Sequence, residues 1–407
     1  MIGLLFVPIA LLSVAVAAAE SRWADPRGFF EQEKVRESQL RPGLRWISAS
    51  GIHEGRPVES QMLVVDLNGK GLNLKSLTGG PVLNRKSGQF VRRSTVSRML
   101  ADNTVLGAIN VAFFDIGSTQ ASQGLVMRDG RLLREPQPGR PALLVTRDRR
   151  LVVAEPGWEA QVAVGGQRRP LAGMNRPQLV ADEVVAYQNP WAWSPGSSAG
   201  FSRNQEVREF VIGPLSFQAS TAVGTAARLA GPVIEIHDDG QAVEIGADQL
   251  VLTAGESAVP FFRRTKVGDE VSVSWSLTGL PDGLDFHEIR EAVAAQPMLV
   301  RDGKVLPGGG GFWETRHPRS AVGIHADGRQ AVLLVVDGRS ERSSGMSLGS
   351  LAKYLAHLGA REALNFDGGG SSALAARVAG GIRVLNIPSD GRERPVPTAL
   401  GVIEETE

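Results

Sequence analysis

The stretch RSAVGIHADGRQAVLLVVDGRSERSSGMSLGSLAKYLAHLGAREALNFDGGGSS, residues 319–372, decides the fold. Two apolar runs, Arg319–Ile324 and Gln330–Val336, flank Ala326-Asp327-Gly328-Arg329, and an Asp-Gly turn between such runs predicts a hairpin. Leu348, Leu351, Ala352, Leu355 and Leu358 follow at helical spacing, with Ser347 as N-cap and Gly359 as the stop. Ala363–Phe366 reads as a buried strand. If the strands on either side of the helix share a sheet, the crossover makes them parallel, and the chain leaves both at the same edge. Asp337-Gly338-Arg339 ends the first and Asp367-Gly368-Gly369-Gly370-Ser371-Ser372 ends the second, so two carboxylates are expected to face one crevice.

Upstream, segments bounded by Gly, Asp and Asn read as strands at Arg45–Ser50, Gln61–Asp66, Leu72–Leu77, Val105–Asn110 and Ala142–Val145. Residues 205–280, with short strands at Val233–His237 and Val271–Ser276, read as a β-rich subdomain or insertion. Gly308–Gly311 reads as a flexible loop. The expected class is therefore α+β: a mixed β-sheet core, a βαβ unit near the C-terminus and a β-rich middle. Residues 44–403 form one domain after a charged, Pro-punctuated spacer at 20–43.

Residues 3–19, GLLFVPIALLSVAVAAA, are apolar and end in Ala17-Ala18-Ala19, the pattern of a signal-peptide core with its cleavage site at 1–19. No Lys or Arg precedes the run, and an uncleaved anchor is the alternative. Export to a periplasm or cell envelope is the expected fate, with no membrane span after cleavage. An exported chain with no Cys is stabilised by its core and not by disulfides. The 44 Lys and Arg nearly cancel the 43 Asp and Glu, and no basic run interleaves with aromatics, so no nucleic-acid partner is expected. HExxH is absent, which disfavours a zinc protease.

Three glycines after a carboxylate cost backbone entropy, and close backbone approach to a ligand is the expected return. Their amides suit an anion, with Ser371 and Ser372 as further donors. A tight turn is the plain alternative. Asp337 and Asp367 are open to three roles: holding a divalent cation such as calcium, dividing acid and base work, or capping loops. The sequence requires no cofactor. Among nearby cations Arg319 and Arg339 are favoured over Arg392 and Arg394 as anion ligands, and His317 is a possible donor. Asn110 and Asp115 flank Phe113 and Phe114, which suits either a site wall or core packing.

Together, "PRSAVG", "VDGRSERSSGMSL" and "ALNFDGGGSSAL" resemble the phosphodiester glycosidase family, and "AINVAFFD", "MNRPQLVADEVVAYQNPWA", "QPMLVRDGK" and "NIPSD" extend the resemblance over about residues 60–403. The resemblance implies a single α+β catalytic domain that hydrolyses a sugar-1-phosphodiester at the anomeric C–O bond. Expected substrates are phosphodiester-linked sugars or polysaccharides, N-acetylglucosamine among the sugars, in envelope or exopolysaccharide metabolism. Family positions carried across are Asn110, Phe114, Arg319, Asp337, Asp367, Gly368, Gly369 and Ser371, to which the local reading adds Arg339 and Gly370. The chain departs from the family at Val111-Ala112, where Gly-Gly is usual, and at Ala295-Gln296, before Pro297. Bulkier walls at those points bear on substrate identity. The rival readings are a metal-dependent phosphodiesterase that cleaves P–O and a non-catalytic binder of phosphosugar polymers.

Overall fold

The computed structural model describes residues 23–69, 71–79, 90–117, 119–195 and 207–405; the apolar segment 3–19, read as a signal peptide, lies outside them. The 319–372 stretch folds as strand, strand, helix, strand. Arg319–Ile324 pairs antiparallel with Gln330–Val336, Ala321 facing Leu334, and the turn closes where the Asp327 carboxylate accepts the Arg329 and Gln330 N–H groups. The helix Leu348–His357 starts at Ser347, whose hydroxyl accepts the Ser350 N–H, and stops before Gly359 at φ +89°.

One feature of the crossover differs from expectation. Glu362–Asn365 pairs with Arg319–Ile324 and not with Gln330–Val336, so the two strands joined by the helix run parallel with a third, antiparallel strand between them. The sheet has eight strands, in the spatial order 31–41, 44–53, 56–66, 330–336, 319–324, 362–365, 298–301 and 304–305. Consecutive residues of a strand point to opposite faces. On one face Val64, Ala321, Leu334 and Val336 pack against Leu348, Leu351 and Leu355 of the helix. On the other, Leu63, Val65, Leu333 and Val335 meet Ile109, Leu374 and Leu400 from a five-stranded sheet of strands 381–384, 374–378, 105–110, 398–404 and 72–78. The site thus rests on a strand layer buried on both faces, which is why Gln330–Val336 reads as an unbroken apolar run.

A second five-stranded sheet and a nine-stranded sheet complete the described part and share one core, in which Met127 and Leu144 pack with Phe210, Leu252 and Trp275. The β-rich middle is larger than 205–280, since strands from Gly157 to Gln188 belong to the same sheet. The charged segment expected as a spacer is instead structured over most of its length: Ala24 and Phe30 are buried beneath the helix, and Glu31–Arg41 forms the edge strand of the eight-stranded sheet. Pro and charge suggested a linker, but alternation of exposed and half-buried residues is also how an edge strand reads. Gly311–Glu314, at the end of the Gly run, forms one helical turn. Among the described residues no helix is long and apolar enough to cross a membrane.

Candidate active site

The turn after Glu362–Asn365 is held by its neighbours at every residue. Asn110, buried at the end of its strand, donates from Nδ2 to the Asp367 carbonyl at 2.6 Å and accepts at Oδ1 from Ser320 Oγ and the Ala373 N–H. The Asp367 N–H donates to the Val111 carbonyl and the Gly369 N–H to the Pro318 carbonyl. Asn110 therefore positions the turn. Phe114 is buried among Val96, Leu100, Ala373 and Val396 and serves the core. It supplies no site wall.

Each of the three glycines lies against a group that a side chain would strike. A Cβ at Gly368 would sit 2.7 Å from the Pro318 carbonyl oxygen and 3.8 Å from Cδ of Arg319. At Gly369, with φ +62°, it would meet Nη2 of Arg339 at 3.0 Å, and at Gly370 it would overlap Arg394 and Asp390. The glycines lie close to protein groups: the Pro318 carbonyl at Gly368, the Arg339 guanidinium at Gly369, and Arg394 with Asp390 at Gly370.

Arg319 is buried and donates from Nε to the Met346 carbonyl and from Nη2 to the carbonyls of Phe312 and Thr315, with its guanidinium 5.5 Å from the Phe312 ring. Burial, with Arg339 adding repulsion, pushes it down to about 10. Arg339 has φ +61° and donates to His317 Nδ1 at 3.4 Å, which puts the neutral ring's proton on Nε2. Burial, Arg319 and Arg339 all hold His317 below its usual value. Among the described residues neither Arg319 nor Arg339 forms an ion pair with a carboxylate, whereas Arg394 pairs with Asp390 at 2.6 Å and also donates to Ser371 Oγ. Asp367 is half-buried. Its burial raises it to about 6, against the hydrogen bond from Ser371, the attraction of Arg394 and the Gly368 N–H.

Asp337 does not join this cluster. Its predecessor Val336 opposes Arg319 and shares the helix-side face, so Asp337 turns to the other face, opposite Glu59. Its Oδ1 accepts the Ile387 N–H at 2.9 Å and Asn386 Nδ2 at 3.2 Å, while Oδ2 is buried with no hydrogen-bond partner among the described residues. Burial raises Asp337 to about 6, and Glu59 adds to the rise. Neither Asp367 nor Asp337 is among the chief influences on the other. Topology brought both carboxylates to one edge; strand alternation separates their surroundings.

Sequence reasoning named Arg394 only as a less favoured anion ligand and missed Asn386 and Asp390. All three lie in or beside the quoted "NIPSD" segment, which was the available signal. Ser372 is buried behind the turn, and among the described residues its Oγ is unpartnered and Arg392 makes no hydrogen bond or ion pair with this cluster. Among the described residues no three of His, Cys, Asp and Glu converge as metal ligands.

Residues 223–403 match the phosphodiester glycosidase family, which bears out the resemblance seen in the Arg319–Ser372 motifs. A Bacillus subtilis (strain 168) protein, the SPbeta prophage-derived uncharacterized protein YomE, is 37% identical over 116 residues, 28% of this chain and 17% of that protein's length. Two solved structures share the fold. A hypothetical protein from Synechocystis superposes with a TM-score of 0.67 at 20% identity, over 91% of this chain and 64% of that one. A protein of Burkholderia pseudomallei K96243, named as a candidate exported protein, superposes with a TM-score of 0.65 at 23% identity, over 85% of this chain and 74% of that one.

Proposed function

Because residues 223–403 fall in the phosphodiester glycosidase family, we propose that this chain hydrolyses a sugar-1-phosphodiester, cleaving the anomeric C–O bond to give a free sugar and a phosphomonoester. One observation carries the reading: two guanidiniums with no carboxylate ion pair among the described residues, Arg319 and Arg339, flank a Gly turn that begins with a carboxylate. Arg339 adds its repulsion to the burial of Arg319, and a phosphate held by both relieves that repulsion. Asp367 then supplies the carboxylate that acts on water or on the anomeric carbon. Water's oxygen ends on the sugar carbon, and the bridging oxygen leaves with the phosphate. A phosphate monoester anion is a good leaving group, so strong acid assistance is not needed, and a neutral His317 beside the clamp is consistent with that.

The setting proposed is outside the cytoplasm. The apolar 3–19 segment and the absence of Cys support export, and a protein of the same fold is named as a candidate exported protein. The substrate would then be an envelope or exopolysaccharide glycan, with N-acetylglucosamine as the first sugar to test.

Hydrolysis of an N-acetylglucosamine-1-phosphodiester in oxygen-18 water, with and without EDTA, tests the reading. Label in the sugar supports C–O cleavage; label in the phosphate overturns it in favour of a phosphodiesterase. No product from a panel of sugar-1-phosphodiesters overturns it in favour of a binder. Loss of turnover with EDTA, restored by calcium, would add a cation to the site.

A further inference from the structure

The Asp337 carboxylate is buried behind a cleft of about 590 Å³ that the reaction proposed above does not use. The cleft opens between the N-terminal strands and the 381–387 segment, and its volume lies in the range of small-molecule sites, roughly 300–1,000 Å³. Its floor is laid out by strand register. Lys34 and Arg36 on the edge strand lie opposite Ser50 and Ser48 on the next, and Ser48 lies opposite Gln61 on the third. Trp46 forms one wall; its Nε1 donates to Gln61 Oε1 at 2.9 Å, and the Arg383 guanidinium stands 5.3 Å from its ring centre.

We propose that this cleft binds an acidic sugar unit, a ring with free hydroxyls beside one carboxylate or phosphate, at a site separate from the Asp367 turn. Four cations, Lys34, Arg36, Arg342 and Arg383, line it against two carboxylates, Glu59 and Asp337, so the balance favours an anion. Arg342 is partly neutralised by Glu59 at 3.3 Å, whereas among the described residues Lys34 and Arg36 have no ion pair. Planar guanidiniums grip carboxylate or phosphate through paired donors. An anion alone explains neither the buried, unpartnered Oδ2 of Asp337 nor the Trp46 wall. A sugar explains both: its hydroxyl donates to Oδ2, and the C–H face of its ring covers the indole. The serines and Gln61 add the mixed donors and acceptors that vicinal hydroxyls need.

The inference stands apart from the hydrolytic reading, and calorimetric titration of the full chain tests it without turnover. The probes are digalacturonate, glucose-1-phosphate, neutral cellobiose and inorganic phosphate, each titrated into the Arg339→Ala chain so that the anion clamp proposed above does not take the phosphate probes. Expected is binding of at least one acidic sugar about tenfold or more tighter than cellobiose or inorganic phosphate, 1.4 kcal/mol being tenfold. The tighter of the two names the acid group. The Lys34→Ala/Arg36→Ala double variant and, independently, Arg383→Ala should each weaken it about tenfold, with Asp367→Asn leaving it unchanged. Equal affinity for cellobiose or for inorganic phosphate, or indifference to both sets of cleft variants, overturns the proposal. Loss of binding in Asp367→Asn also overturns it, by making the two places one site.

Discussion

Asp337 and Asp367 end two parallel strands of one sheet, and burial raises both to about 6, yet they sit in opposite company. Asp367 heads a turn of three glycines beside Arg319, Arg339 and Arg394. Asp337 looks the other way, onto Asn386, Ile387 and Glu59, at the back of an open cleft. Similar titration is therefore a poor guide to role here. What distinguishes the two is which charges lie within reach, and the face of the sheet decides that.

The sharpest way to break the comparison is to neutralise each acid. Asp367→Asn should lower kcat on an N-acetylglucosamine-1-phosphodiester by roughly 10²–10⁴-fold, the usual range for a catalytic acid or base, with an unchanged circular dichroism spectrum. Asp337→Asn should change kcat by less than about tenfold on the same scale. Equal losses would merge the two regions.

The next effect is on stability. Gly368→Ala places a methyl 2.7 Å from the rigid Pro318 carbonyl, and overpacking of this kind costs about 1–3 kcal/mol, read as a lower midpoint in denaturant. Gly370→Ala meets only the ends of Arg394 and Asp390, which can swing aside, so its stability cost should be smaller while turnover falls. Asn386→Ala acts on the other carboxylate. The Asn386 side chain also donates to the Ser372 carbonyl and accepts the Leu374 N–H, so the loss should cost about 1 kcal/mol for each bond, and losing the one to Asp337 Oδ1 should move the Asp337 titration, followed by carboxyl NMR, further upward.

The last effect is the slope with pH. A carboxyl raised to about 6 in the fold but near 4 when unfolded makes the native state hold more protons across that window. Stability from these two groups therefore rises as pH falls from about 6 to about 4, and the buried Glu209 and Glu291, raised to about 7, carry the same sign up to neutrality. Turnover runs the other way, falling below about pH 6 as Asp367 takes its proton. Thermal melts and rates over pH 4–8 read both trends, and Asp337→Asn should flatten part of the first while leaving the second.

The local elements were legible because local chemistry wrote them. The Asp-Gly turn, the Leu spacing of 348–358 and the apolar 330–336 run each determine a piece within a few residues of themselves. Strand order was not. That Arg319–Ile324 lies between the two crossover strands follows from pairings no single segment encodes, and with it goes the assignment of Asp337 to the opposite face. Asn110 was found as a residue of interest, but its work is to tie the Asp367 carbonyl, Ser320 and Ala373 together, which its type alone does not say. Lys34 and Arg36 were hidden in plain charge: on an edge strand, a binding row and a solvated row have the same spelling.

The crowding above the three glycines reaches beyond this one chain. Gly369 combines a φ of +62° with the Arg339 guanidinium overhead, and Gly370 lies under the ends of Arg394 and Asp390, so residues far away in sequence bear on the turn's composition. In any set of relatives those positions should covary. A sequence that exchanges the third glycine for a larger residue should have moved or lost the arginine–aspartate pair above it, whereas the first glycine should stay wherever the Pro318 carbonyl keeps its place.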